Sequence, residues 1–521
     1  MPTRFNPVCL RASSSSWGYS EEIFAGILQG FTTSLSITNL VYCFIGVFIG
    51  TLIGVLPGIG PVGTISLLLP ATFRVEPVSA IIMMAGIYYG AMYGGSTTSI
   101  LVNIPGEAAS VVTCLDGYQM ARKGRAGAAL GISAFGSFIA GTVGVIALMF
   151  LAYPLAKLAL SFGPPEYFAL MCLGLAILTY LARGSMLKAL SMALVGLLLS
   201  FIGIDGITGL PRFTMDMVHL MDGVGLVPIA MGLFGISEVL LNLEEVVRRD
   251  VFATKIKGLF PNREEWRRSK WPIVRGTIIG FFLGILPGGG AVISSFISYG
   301  VEKKLSRTPE KFGTGMIEGV AGPESANNAA VGGAFVPLFT LGIPANVTMA
   351  VLLGALMIHG LTPGPMLLKD HPEIFWGTVT SMYMGNVMLL ALNLPLIGLW
   401  VKVLKIPYGI LFPLIILFCL IGAYSLNNTA FDIGVMVIFG LIGYLMKKLD
   451  YEGAPLLLAF VLGPMMEQAL RQSLLLSHGS FAIFFTRPIS AVAMGLAVAL
   501  ILSYFLPFLR KKRPNLEEEN V

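Results

Sequence analysis

Ser96, Thr97, Thr98 and Ser99 place consecutive hydroxyls in an otherwise apolar stretch, and Asn103 follows them. A later apolar stretch carries the adjacent amides Asn327 and Asn328, preceded by Ser294 and Ser295. Hydroxyls and amides can bind a polyanion through hydrogen bonds, without the desolvation cost of a buried cation. Their competing use is to bond the backbone of their own helix. Glu107 and Glu324 stand close by in sequence and could carry a proton or ligate sodium, since ionisable groups inside apolar spans are rare and often functional. Helix-end positions in the interface are the plainer reading of both. Asp116 and Asp205 are the other acidic groups near these segments, and Arg122, Lys123 and Arg125 read better as charge anchors than as carboxylate partners. The histidines His219, His359, His371 and His478 are dispersed, with no metal or triad spacing.

A second set of binding groups belongs to the backbone. Gly54–Gly60 reads GVLPGIG and Gly284–Gly290 reads GILPGGG. The apolar segments that lead into them stay in register at Gly46/Gly276, Gly50/Gly280, Gly54/Gly284, Leu56/Leu286, Pro57/Pro287, Gly58/Gly288 and Gly60/Gly290. A later pair of segments, GGSTTSILVNIPG from Gly94 and GGAFVPLFTLGIPA from Gly332, matches with one inserted residue and ends in Ile104-Pro105 and Ile343-Pro344. Proline removes the N–H that would continue a helix, and glycine lets a ligand approach the backbone. At such a break, free N–H groups suit an anion and free carbonyls suit a cation. Gly58, Gly60, Gly288, Gly289 and Gly290 are therefore candidate contact groups, with Pro57, Pro105, Pro287 and Pro344 as the breakers. Close helix packing is the other use of such glycines.

These groups need apolar elements to hold them. The chain is 55% hydrophobic and only 12% charged, against about 25% charged in soluble domains. An all-α polytopic membrane protein is expected, with roughly 10 to 14 membrane-embedded elements given about 20 apolar residues per span. The duplicated motifs predict two structural repeats with broken helices or re-entrant hairpins at LPGxG and GG…IP. Loop charge differs in sign bias between equivalent positions: Lys303, Lys304, Arg307 and Lys311 after the second LPGxG, but Arg122, Lys123 and Arg125 after the first GG…IP. Equivalent loops thus prefer opposite sides, which favours an inverted repeat over a parallel one. The short apolar run between Leu286 and Lys303 points to a hairpin that returns to its own side.

The expected division is a disordered tail or over-extended start over residues 1–20, a first membrane half over 21–243, a basic cytoplasmic linker over 244–271, a second half over 272–509 and a charged cytoplasmic tail over 510–521. Glu21–Phe31 reads as a short amphipathic segment at the interface. Phe375–Val401 reads as one long span. The net charge of +6 comes largely from basic runs that flank apolar spans and are interleaved with Glu244, Glu245, Glu264 and Glu265. That pattern fits cytoplasmic loops and not nucleic-acid binding. The five cysteines are scattered, without CxxC spacing or a Cys/His cluster. Walker A, HExxH and nucleophile-elbow motifs are lacking, so an enzyme and an ATP-driven pump are not expected.

GVLPGIGPVGTISLLLP, YYGAMYGGSTTSILVNIPGE, LDGYQMARKGRAGAALGISAFGSFIAGT, GPESANNAAVGGAFVPLFTLGIP and HGLTPGPML resemble the large membrane subunit of the tripartite tricarboxylate transporters, the TctA family. The likeness runs from about residue 38 to 505. It implies a multi-pass permease of the bacterial inner membrane, working with a small membrane subunit and a periplasmic substrate-binding protein. It further implies uptake of citrate-like tricarboxylates or other carboxylates on a sodium or proton gradient; no cofactor is expected, and the alternative is a stand-alone secondary carboxylate transporter without a binding protein.

Overall fold

The computed structural model describes residues 16–56, 60–181, 185–244, 258–288, 290–404, 406 and 408–503. Pro57, Gly58 and Gly289, together with the C-terminal charged tail, lie outside them. The principal helices of the first half are α1 (Ser16–Ser34), α2 (Ile37–Val55), α3 (Gly60–Leu68), α4 (Pro77–Val102), α5 (Ala126–Ala159), α6 (Pro164–Leu181), α7 (Met186–Ser200) and α8 (Leu226–Glu244). Those of the second are α9 (Arg263–Ile285), α10 (Gly290–Leu305), α11 (Glu318–Leu341), α12 (Val347–Ile358), α13 (Pro372–Asn393), α14 (Tyr408–Asn427), α15 (Ala430–Lys448), α16 (Gly453–Leu476) and α17 (Pro488–Ser503). A two-residue hairpin pairs Gly203 with Arg212 and Ile204 with Pro211. Eight described helices are long and apolar enough to cross a membrane, and five more are apolar but shorter. Large apolar side chains such as Phe150, Ile438 and Val492 face outward, as lipid-facing positions do. The chain is an all-α multi-pass membrane protein.

The glycine registers explain how the central helices pack. A methyl group at Gly46, Gly50 or Gly54 of α2 would overlap the carbonyl of Met83, Ile87 or Ala91 of α4. At Gly276, Gly280 and Gly284 of α9 it would overlap the carbonyls of Gly322, Ala326 and Ala330 of α11. Small residues let these backbones touch, the usual way helices associate in lipid. The facing glycines agree: a methyl at Gly94 meets the Thr51 carbonyl, and one at Gly333 meets the Phe281 carbonyl. The structural partner of Gly94 is therefore Gly333, not Gly332, and from there to Ile-Pro the two segments align without the inserted residue.

The helix stops repeat as well. α4 ends on Asn103 (φ 58°) and α11 on Gly342 (φ 69°), equivalent positions in that register and both left-handed. After each Ile-Pro, an equivalent residue caps the next helical turn. Glu107 accepts from Ala109 N–H and Asn346 from Met349 N–H.

Beyond the LPGxG motifs the halves diverge. α10 folds back along α9 and α11, with Ser294 and Ser295 within 3.4 Å of the Ala326 and Pro323 carbonyls and Arg275 on Glu302 at 2.8 Å. α3 instead leaves α2 to pack against α4, α12 and the π turn Met231–Ile236 inside α8. The halves also exchange helices, since α5 packs on α11 and α13 on α4.

Three boundaries differ from the sequence reading. α1 begins at Ser16, inside the segment expected as a tail, and it packs on α13 instead of lying free at the interface: a methyl at Gly26 would strike the Trp376 ring. The span expected over Phe375–Val401 breaks after Asn393, next to Pro395, and resumes at Ile397. α11 starts at Glu318, well before its apolar stretch, because the polar run GPESANN is buried inside the protein.

Candidate functional site

Three of the four breaks, with the end of α2 that leads into the fourth, come together in the interior. Gly288, at φ 113°, donates its N–H to the Ala345 carbonyl at 2.8 Å, so both breaks of the second half touch. In the first half, a methyl at Gly106 would overlap the Gly54 carbonyl and crowd Gly95. Ala109, Ala291 and Ala330 then pack together across the halves.

Side chains cross between the halves at the same place. Asn327 Nδ2 donates to Glu107 Oε1 at 3.2 Å, and Asn346 Nδ2 donates to the Tyr88 hydroxyl at 2.9 Å. In the α4/α11 register Tyr88 is equivalent to Asn327 and Glu107 to Asn346. Each core helix thus reaches the break of the other half by the same route. The order of contacts gives direction: Tyr88 stacks obliquely on Phe335 while Ser96 meets Glu324, so α4 and α11 run antiparallel.

Glu324 is buried under Ser96 Oγ at 2.5 Å and Ser133 Oγ at 3.1 Å, both on Oε2, with Thr113 Oγ1 on Oε1. Asn328 donates to Ser137 Oγ of α5 at 2.7 Å and to the Glu324 carbonyl at 3.0 Å. The Tyr93 hydroxyl and Asn327 Oδ1 are buried with no hydrogen-bond partner among the described residues. Among the described residues every buried polar side chain is neutral or acidic, and none is lysine, arginine or histidine. Beside the acidic Glu107 and Glu324, the attraction this region offers an anion comes from helix N-termini and neutral donors.

The expected groups divide accordingly. Ser96, Asn327, Asn328, Glu107 and Glu324 gather around the breaks. Gly60 opens α3 with free space at its Cα, and Gly290 packs on Gly284. Thr97 is buried beside them, but Thr98 donates to the Val55 carbonyl at 2.8 Å, tying α4 to the end of α2. Ser294 and Ser295 bond the Ala291 carbonyl of their own helix at 2.9 Å. Asn103 is exposed and serves to end α4. Asp116 accepts from the N–H groups of Gly313, Gly315 and Met316, fastening the loop before α11. Asp205 belongs to the hairpin, beside a cavity of about 480 Å³ that no break residue lines. Arg125 pairs with Glu265 at 2.9 Å, as an anchor would.

Tyr88, Tyr93, Thr113, Ser133, Ser137 and Asn346 were missed by sequence reasoning. The register that equates Tyr88 with Asn327 and Glu107 with Asn346 is the signal that could have found two of them.

Residues 40–458 match the Tripartite tricarboxylate transporter TctA family. An Agrobacterium vitis protein described as an uncharacterized 52.8 kDa protein in the TAR-I ttuC' 3' region is 52% identical over 492 residues, covering 94% of this chain and 98% of that one. A second A. vitis protein, uncharacterized and from the TAR-II ttuC' 3' region, is 52% identical over 234 residues, covering 45% of this chain and 97% of its own length. No solved structure matches. The family is one of transporter subunits and not of enzymes, and it supplies the large membrane subunit of tripartite systems. The chain belongs to the tripartite tricarboxylate transporter TctA family.

Proposed function

We propose that this chain is the permease subunit of a binding-protein-dependent secondary transporter of the bacterial inner membrane. It imports tricarboxylates or related carboxylates by symport with sodium or protons, together with a small membrane subunit and a periplasmic binding protein. The observation that carries the reading is the reciprocal pair of contacts, Asn327 to Glu107 and Tyr88 to Asn346, at the meeting point of the duplicated breaks. Backbone that leaves helical geometry at membrane depth is tolerated where protein or a wet cavity covers it, and transporters place substrate there. The carboxylate would be held by the N-terminal N–H groups of α10 and α12 and by neutral donors such as Asn327 and Thr97.

The two halves act as an inverted repeat, supported by the antiparallel run of α4 and α11. Either half can then open while the other closes. Lys123 bonds the Thr314 carbonyl, Arg125 pairs with Glu265 and Arg268 with Glu318, so these basic groups cluster near the starts of α9 and α11, which the positive-inside rule would put on the cytoplasmic side.

The test is uptake of labelled citrate into proteoliposomes that hold this chain and its small subunit. Uptake that requires the binding protein and one imposed gradient is expected. Saturable uptake by this chain alone would overturn the tripartite part, and silence with every binding-protein ligand tried would overturn the importer itself.

A further inference from the structure

Glu324 sits one turn before Asn327 on α11, with 1% of its surface exposed. Its surroundings can be read by counting hydrogens. Ser96 Oγ is 2.5 Å from Glu324 Oε2 and also 3.1 Å from the Met92 carbonyl. Ser133 Oγ reaches Oε2, and Thr113 Oγ1 reaches Oε1. That makes four contacts for three hydroxyl hydrogens. Both the carboxylate and the Met92 carbonyl can only accept, so an ionised Glu324 leaves one contact without a hydrogen. A protonated Glu324 supplies it: Oε2–H donates to Ser96, Ser96 donates to Met92, and Ser133 and Thr113 donate to the carboxyl.

The electrostatic surroundings point the same way. Among the described residues, the titratable groups that feel the charge of Glu324 are Tyr93 of α4, Glu107 of the first break and Cys114 of the π turn Cys114–Tyr118. None is basic. Asp116 in that turn is taken up by backbone N–H groups. Glu302 of α10 is paired with Arg275 of α9, and Arg125 at the start of α5 with Glu265. A buried carboxylate without a cationic partner is unfavourable, and a second carboxylate nearby makes it more so.

We propose that Glu324 is the binding site of the coupling proton and holds it in the conformation described here, an inference that rests on the importer reading above. On release, the Oε2–H bond breaks and the proton passes to water. Ser96 then turns its hydrogen from Met92 to the carboxylate, which keeps three hydroxyl donors. Ser96, Thr113 and Ser133 are positioning residues for that proton.

Infrared spectroscopy of the purified full-length protein tests this through the carboxylic-acid C=O stretch. The wild type at neutral pH is expected to carry a band that Glu324→Gln lacks, unchanged when sodium chloride replaces choline chloride. No such band in the wild type, or its loss on adding sodium, overturns the assignment in favour of an ionised or sodium-bound carboxylate. Ser96→Ala guards against a misfolded glutamine variant. Removing the hydroxyl that accepts from Glu324 should shift the band, and an unmoved band overturns the hydrogen assignment. The readout needs no substrate. Failure of the importer reading would leave the band in place, whereas failure of the proton reading would remove it and leave sodium-driven uptake intact.

Discussion

Single side chains around the breaks fall into two kinds, and substitution should separate them. Asn327 spans the halves, and its Oδ1 is buried without a partner among the described residues. Ser294 and Ser295 bond their own helix at Ala291. Asn327→Ala removes a cross-half hydrogen bond to a carboxylate, worth about 1–3 kcal/mol when such a group is left unpaired. Uptake in proteoliposomes should fall on the order of tenfold or more, by the usual conversion of free energy to rate, with the folded yield little changed. The double variant Ser294→Ala, Ser295→Ala should transport near the wild-type rate, because back-bonding by serine contributes little and the second contacts, to Ala326 and Pro323 of α11, are long at 3.4 Å and stay within one half. Equal losses in the two variants would remove the distinction. Gly288 belongs to neither kind. Its φ of 113° suits glycine, and an added methyl would sit 3.0 Å from the Leu178 backbone. A larger side chain there therefore costs folding before it costs binding.

At the scale of elements, the glycine stripes make the strongest demand on sequence. Gly280→Val would drive a branched side chain into the Ala326 carbonyl, with no flexible atom to yield. Overpacking costs about 1–3 kcal/mol where a core can shift, and a backbone contact can shift less. Monodisperse protein on fluorescence-detected size exclusion should largely disappear for Gly280→Val and for its equivalent Gly50→Val. A normal yield of both would mean that α2–α4 and α9–α11 are not close-packed. These stripes were legible in the sequence because period and register survive duplication, as were the breaks, since Pro and Gly act locally. The cross-half bonds were not legible: Tyr88 and Asn346 differ in type from their equivalents Asn327 and Glu107, so no motif repeats. The course of α3 was hidden as well, because its partners α12 and α8 lie far along the chain. The hairpin at Gly203–Arg212 gives an element-scale test of pH. Asp205 is covered yet lies near the surface, and Ile207 N–H and then Arg471 hold its carboxyl well below the ordinary range. A depressed value means that the carboxylate's contribution is fully present above about pH 4 and is lost as pH falls through the folded value. Limited proteolysis of the hairpin should accelerate only in that acidic window, and Asp205→Asn should be cut readily at neutral pH too. A wild type cut equally at all pH values would show that Asp205 does not hold the hairpin.

For the whole molecule, the question is whether the breaks of the two halves move against each other. They meet where α10 packs on the turn Ala108–Ser110, which puts Ala109 and Ala291, of opposite halves, in one cluster with Ala330. α10 abuts the turn after the first Ile-Pro, just as α3 abuts α12 after the second. In an inverted repeat these two junctions should exchange roles as access alternates: one tightens while the other loosens. Packed side chains lie within about 4–4.5 Å, and a disulfide needs Cβ atoms about 3.5–4.5 Å apart. Ala109→Cys with Ala291→Cys, placed in a chain whose five native cysteines are replaced, should therefore oxidise to a bond across the halves. The oxidised protein should keep its fold and stop net uptake, and reduction should restore transport. Full activity with the bond intact would mean that this junction stays closed throughout the cycle. The moving contact would then have to be sought at the other junction, between α3 and α12.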